Sequence, residues 1–312
     1  MATSPTAPPA LLLADGIAEV VVRPGLGGAV AAYDLVADHL VADGRVALFR
    51  RAAPGAADVM AMACAPLLPW SNRISGGGFH HQGRWVALAP NWPGEPLPLH
   101  GNGFLAPWRV VGQRRDAVEL TLDSSGPGAF RYTARLHYWL AGGGLGMRLA
   151  VVHTGTDALP YGLGFHPWLV RDRATVLQAP ARAVWLEDAR HLPTVRVPVA
   201  TCPAWDFTRP RRLPAGWINN GFVGWNGRAT VSWPERRLAL AIDAGAGADM
   251  AAALSTYILY SPDAAAGFFC FEPVSHPVDA HNLPGTPEGN GLFMLGPGQS
   301  AAVQCRFTPS AL

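Results

Sequence analysis

Hydrophobic and polar side chains alternate along much of this chain, with the period of two that sets one face of a β-strand against a core. The clearest run is 131–139, where Tyr132, Ala134, Leu136 and Tyr138 alternate with Arg131, Thr133, Arg135 and His137. Leu145, Met147, Leu149 and Val151 repeat the pattern after Ala141-Gly142-Gly143-Gly144, so the two runs predict a hairpin closed by a glycine-rich turn. Val118, Leu120 and Leu122 alternate again, as do Leu238, Leu240 and Ile242 after a turn at Pro234-Glu235-Arg236-Arg237. Further strands are predicted at 18–23, 46–50, 108–113, 230–233, 257–260 and 301–307. Only 56–65, rich in alanine and methionine, offers a short helix, which Pro66 and Pro69 would stop.

Composition agrees with this pattern. Glycine (35) and proline (29) make up about a fifth of the 312 residues, which excludes a helix-dominated fold because both interrupt helices. A hydrophobic content of 49% supports a sizeable core. No linker separates the strand-like segments, so the expectation is an all-β, single antiparallel sandwich-like domain over 15–312, with sites on loops and strand ends. Residues 1–14 read as a flexible tail, and the apolar stretch 10–14 is too short for a secretory signal. Nothing approaches the ~20 apolar residues of a membrane-spanning helix.

Charge and cysteine usage narrow the partners. The formal charge of +2 arises from 24 basic and 22 acidic residues scattered along the chain, so no cationic strip suits a nucleic-acid backbone. Only Arg209, Arg211 and Arg212 cluster; they read as a solvated loop, with a phosphate contact as the alternative. Cys64, Cys202, Cys270 and Cys305 lack CxxC or short Cys/His metal spacing and read as buried free thiols. A soluble protein of the reducing cytoplasm follows, with no nucleic-acid or membrane partner and with homodimer formation left open.

Three segments carry chemistry. Glu272 follows the apolar run Phe268-Phe269-Cys270-Phe271, where partial burial would raise a carboxyl pKa toward neutrality and suit a general base. The competing reading is a glutamate at a strand end that hydrogen-bonds a loop. His166 in Gly162-Leu163-Gly164-Phe165-His166-Pro167-Trp168 lies in a segment too irregular for a helix, and His100 sits in Leu99-His100-Gly101-Asn102-Gly103. Either imidazole alone reads more readily as structural; together with Glu272 they would serve proton transfer on a small polar substrate if all three met in space. Asn72-Arg73 offers an amide and a guanidinium on a turn, suited to binding hydroxyls. Two or three of the eleven tryptophans would stack on sugar faces, the rest filling the core. His276, Asp279 and His281 raise a divalent-metal alternative, against which Pro277 argues by breaking any helix that could align them. Gly76-Gly77-Gly78 lacks the lysine and helix of a phosphate-binding loop, and no Ser/His/Asp motif appears.

Taken in order, Pro69-Trp70-Ser71-Asn72-Arg73-Ile74, Leu99-His100-Gly101, Gly162 to Pro167, Phe222-Val223-Gly224-Trp225 and Phe271-Glu272-Pro273 through Asn282 resemble the aldose 1-epimerases, or galactose mutarotases. The resemblance implies a β-supersandwich and interconversion of the α and β anomers of a free monosaccharide, with no metal and no organic cofactor. By motif, Glu272 matches the general base, His166 the general acid and His100 a second active-site imidazole. Arg73 matches a substrate-binding arginine, and Asn72, Asn219 and Trp225 are expected to bind substrate beside it. Asn219 stands where galactose mutarotases commonly carry an aspartate, so the resemblance does not extend to a galactose preference. The alternatives are a hexose 6-phosphate mutarotase using the arginines near Arg209, and a non-catalytic sugar-sensing module.

Overall fold

The computed structural model describes residues 9–36, 44–245 and 252–312. Two large antiparallel sheets dominate it. The first, of eleven strands, runs in spatial order Leu11–Ala14, Ala18–Arg23, Ala29–Leu35, Cys64–Leu67, Gly164–Val170, Phe268–Val274, Thr256–Ser261, Ile218–Val223, Ala183–Glu187 and Pro193–Pro198, with Val46–Ala47 added beside Ala29–Leu35. The second has nine strands and contains the predicted hairpin, Tyr132–Ala141 paired with Gly144–His153 over its whole length. Two hairpin-sized pairs, Gly78–His81 with Arg84–Ala87 and Leu159–Tyr161 with Phe293–Leu295, complete the described strands.

One hydrophobic cluster lies between the two large sheets and takes side chains from both. Phe49, on the first sheet's side, packs edge-to-face against Tyr33 at 5.2 Å and against Phe307 of the second sheet at 5.0 Å. The Tyr33 hydroxyl also donates to the Gly143 carbonyl at 2.7 Å, and Trp233 Nε1 to that of Val170 at 2.9 Å. These bonds satisfy the polar ends of both aromatic side chains.

Strand periodicity decides which residues reach the core and which do not. Phe165 and Leu169, Phe269 and Phe271, Tyr257 and Leu259, and Phe222 and Val184 all enter this cluster. Their neighbours His166, Trp168, Glu272, Tyr260 and Asn219 therefore emerge on the opposite face of the first sheet, because successive side chains of a strand point to opposite sides. One face of five adjacent strands thus becomes available for a polar site.

The structure departs from the sequence reading in three places. Leu11–Ala14, assigned to the tail, is a strand that pairs with Ala18–Arg23, because alternate burial gives Leu13 a place in the core. The expected helix over 56–65 reduces to one 3₁₀ turn, Val59–Ala61, capped by Asp58; Cys64 then starts a strand in the middle of the first sheet. Glu272 lies inside a strand, as its apolar run implies; His166 also lies within a strand and not on the loops and strand ends expected to carry the site. Residues 1–8 of the expected tail lie outside the described residues. Among the described residues no helix is long and apolar enough to cross a membrane.

Candidate active site

His166 and Glu272 are cross-strand neighbours. The strands Gly164–Val170 and Phe268–Val274 pair antiparallel with Trp168 opposite Cys270 and Gly164 opposite Val274, so the register sets His166 opposite Glu272. Residues paired this way share a face with Cβ atoms about 5 Å apart. His166 Nε2 accordingly lies 3.3 Å from Glu272 Oε1, with both side chains almost wholly buried. The His166 ring stacks on Trp168 at 3.9 Å, which fixes its plane.

Two turns bring the remaining groups to this pair. His100 and Asn72 both adopt positive φ, 56° and 60°, a costly backbone state for residues with side chains that recurs at functional sites. The two are locked together: the Asn72 backbone N–H donates to His100 Nδ1 at 2.9 Å, and the His100 N–H donates to the Asn72 carbonyl at 2.9 Å. In neutral His100 the proton therefore sits on Nε2. Gly101 allows this turn to press on the chain at Leu68, since a Cβ there would lie 2.1 Å from the Leu68 carbonyl oxygen. The His100 and His166 rings end 5.2 Å apart. Arg73 follows Asn72 and donates from Nε and Nη2 to Glu95 Oε2 at 3.0 and 2.7 Å.

These residues line a cleft of about 340 Å³ together with Met60, Leu99, Trp168, His191, Trp217, Asn219, Tyr260 and Phe268. That volume lies at the small end of the range for small-molecule sites. A larger cleft of about 480 Å³, lined in part by Arg182, Arg196 and Glu288, contains no imidazole and so no comparable acid and base pair.

Burial governs the site's electrostatics. It pushes the Glu272 carboxyl up to about 8, with nearby Arg73 acting in the opposite direction. Burial also pulls His166 down to about 3, reinforced by the Arg50 cation, and holds His100 well below the usual imidazole range. Arg50 lies 4.9 Å from the Trp168 ring on which His166 stacks. Although the His166–Glu272 contact has ion-pair distance, both shifts favour uncharged partners. At neutral pH the pair carries one proton, resting on Glu272. Glu272 Oε2 and His166 Nδ1 are buried without a hydrogen-bond partner, and such orphaned atoms mark sites where a ligand completes the bonding.

Of the residues expected to bind substrate, Asn72, Arg73 and Asn219 reach this cleft and Trp225 does not. Trp225 is buried in the core against Tyr257 and Phe271, and its Nε1 donates to the Arg228 carbonyl. The reason is parity: the residue turns in after Gly224, which takes φ of 70°. Arg211 and Arg212 lie on an edge strand of the second sheet, and neither they nor Arg209 lines the cleft. His276, Asp279 and His281 form loop-holding bonds: His276 Nε2 accepts from Ser71 N–H, Asp279 Oδ1 accepts from Ser75 N–H, and His281 Nε2 pairs with the Pro160 carbonyl. Sequence reasoning missed Glu95, Glu187, His191, Trp217 and Tyr260, which lie in segments without a motif; Glu187 and Tyr260 are placed by strands, and Glu95, His191 and Trp217 by the loops between them. Among the described residues, His166, Cys270 and Glu272 form the one group whose ligand atoms, all within 4.8 Å of one another, could hold a metal ion. An ion there would occupy the atoms that the acid and base pair uses.

Comparison with known proteins places the family and the fold. The aldose 1-epimerase family profile matches residues 9–308. The uncharacterized protein YphB of Escherichia coli K12 is 34% identical over 245 residues, covering 78% of this chain and 82% of YphB. The crystal structure of a candidate aldose 1-epimerase from Escherichia coli K12 superposes with a TM-score of 0.85 at 30% identity, over 97% of this chain and 99% of the other. A galactose mutarotase-like protein from Clostridium acetobutylicum, at 16% identity, shares the fold with a TM-score of 0.81 over 97% and 95% of the two chains. The chain belongs to the aldose 1-epimerase family.

Proposed function

We propose that this protein is a mutarotase that interconverts the α and β anomers of a free aldose by acid and base catalysis. The observation that carries the reading is the 3.3 Å approach of His166 Nε2 to Glu272 Oε1 at the floor of a cleft that also holds His100, Asn72 and Arg73. Ring opening needs one proton removed from the anomeric hydroxyl and one delivered to the ring oxygen. Glu272 takes the first and His166 gives the second, so the C1–O5 bond breaks and the anomeric oxygen becomes the carbonyl of the open-chain aldehyde. Rotation about C1–C2 presents the other carbonyl face, and reclosure reverses both transfers.

The pair holds one proton throughout. The reactant state is ionised Glu272 with protonated His166, and the state after ring opening is neutral Glu272 with neutral His166. Burial favours the second, while Arg73 favours the ionised carboxylate. Arg73 thereby lowers the cost of the ionised state, which proton exchange in both directions must reach. His100, with Nε2 as its proton-bearing atom, is placed to donate to a substrate oxygen.

Polarimetry of freshly dissolved α-glucose, α-galactose, xylose and arabinose tests the reading, with Glu272→Gln and a chelator as controls. Acceleration that survives chelator and disappears in the variant supports it. Measurable sugar binding without acceleration of any sugar would replace it with the sensing module.

A further inference from the structure

Glu187 ends the strand Ala183–Glu187, whose pairing with Ile218–Val223 runs to Trp185 opposite Gly221; just beyond that pair the Glu187 and Asn219 side chains meet. Its carboxylate gathers three donors. Oε2 accepts from Asn219 Nδ2 at 2.8 Å and from His191 Nδ1 at 2.9 Å, and Oε1 accepts from Trp217 Nε1 at 2.8 Å. All three donor residues line the catalytic cleft, whereas Glu187 stands behind them. His191 is held there at φ of 61° by a tight loop in which Asp188 Oδ1 accepts from the N–H groups of Arg190 and Leu192.

Each of these bonds decides what the cleft sees. With one amide hydrogen committed to Glu187, Asn219 has its carbonyl oxygen free of any described hydrogen bond. His191, donating from Nδ1, presents Nε2 as an acceptor in the neutral ring. The indole of Trp217, its N–H occupied, offers a half-exposed face bordered by His191 at 5.4 Å and Tyr260 at 5.3 Å. Two acceptors and an aromatic face suit the hydroxyls and C–H face of a neutral sugar ring; a phosphate brings only acceptors and charge against a carboxylate. Among the described residues the one arginine that lines the cleft, Arg73, is already paired with Glu95.

Resting on the mutarotase reading, we propose that Glu187 and Asn219 are a matched acceptor and donor pair, in which the Glu187 carboxylate fixes the Asn219 amide. As a positioning residue it sets Asn219, His191 and Trp217 to bind the hydroxyls of a neutral, unphosphorylated aldose away from the reacting carbon. The arrangement explains why an amide stands at 219. A second carboxylate there would face Glu187 at hydrogen-bond distance with no proton between them. Reversing both residues satisfies the network again. The amide introduced by Glu187→Gln would donate to the carboxylate introduced by Asn219→Asp and to the other tautomer of His191, while still accepting from Trp217; His191 then turns an Nε2–H to the cleft, with which a sugar hydroxyl pairs as an acceptor instead of a donor.

The test is a double-mutant cycle on mutarotation kinetics and on sugar titration of intrinsic tryptophan fluorescence, which needs no turnover. Glu187→Gln and Asn219→Asp should each raise KM for glucose and the fluorescence Kd at least about tenfold, with kcat within about threefold of wild type. The combined variant should return both constants to within about threefold, and glucose 6-phosphate should compete at least about tenfold more weakly than glucose against the wild type. Single variants with unchanged affinity, additive losses in the combined variant, or equal competition by the phosphorylated sugar would each overturn the proposal. If the wild type accelerates no sugar yet the fluorescence cycle shows this coupling, the mutarotase reading fails and the subsite stands. An active wild type with an uncoupled cycle keeps the mutarotase reading and removes the subsite.

Discussion

Replacing Glu272 with glutamine keeps the side chain's shape and removes its ionisation, so it separates what the carboxyl does for stability from what it does for chemistry. Burial raises the folded-state pKa from 4.5 to about 8. As pH rises through this window the unfolded chain releases the proton and the folded chain keeps it. The unfolded state then binds fewer protons, so wild-type stability falls with pH. One pKa unit corresponds to about 1.36 kcal/mol, so the loss between about pH 5 and pH 7 is on the order of 3 kcal/mol. Glutamine has no such slope. The variant should therefore gain stability relative to wild type across that interval, and the gain should level off above about pH 8. Burial of His166, whose depressed pKa costs stability as pH falls below its unfolded value of 6.5, acts in both proteins and cancels in the difference. Urea unfolding followed by tryptophan fluorescence at several pH values measures the effect, with equal m-values as the control on the unfolded state. A variant that loses relative stability as pH rises would refute the proton-holding pair, because that sign requires the folded wild type to bind fewer protons than its unfolded chain, as an ionised Glu272 of depressed pKa would. The same substitution should lower mutarotation by about 10²-fold or more, so the more stable protein at neutral pH would be the less active one.

Other consequences can be checked with the same protein. Because the His166–Glu272 pair must hold one proton, kcat/KM should be flat near neutrality and fall as pH rises through about 8, where the shared proton leaves; a rate that keeps climbing past that point would contradict the shared-proton scheme. Added Zn²⁺ should inhibit competitively with sugar, since His166, Cys270 and Glu272 offer it three donors, and Cys270→Ser should weaken inhibition at least about tenfold; activation by the metal would oppose this. Gly101→Ala should lower stability by about 2 kcal/mol or more and reduce activity with it, because the added methyl meets the Leu68 carbonyl and φ is 69°; thermal unfolding coincident with wild type would show that the turn tolerates the change.

Much of this protein was legible along the chain because strand burial writes itself as alternation. Tyr132, Ala134, Leu136 and Tyr138 do enter the core, and the glycine turn at 141–144 does close the hairpin. Local chemistry also identified Glu272, His166, His100, Asn72 and Arg73 as candidates, since residue type and local context survive without coordinates, and the resemblance to the aldose 1-epimerases added Asn219. Local sequence could not separate Trp225, which turns into the core, from Trp217, which borders the cleft, because parity after a turn depends on the turn's backbone. Nor could it find Glu95 behind Arg73 or Glu187 behind Asn219, residues 22 and 32 positions away from the partners they hold. Those contacts exist only once antiparallel registers are set. Residue type and alternation along the chain are enough to say which side chains can do acid and base chemistry and which strands can bury a face. The altered acidity of His166 and Glu272 is a property of the packed sheets, because it comes from a desolvation that no isolated segment can impose.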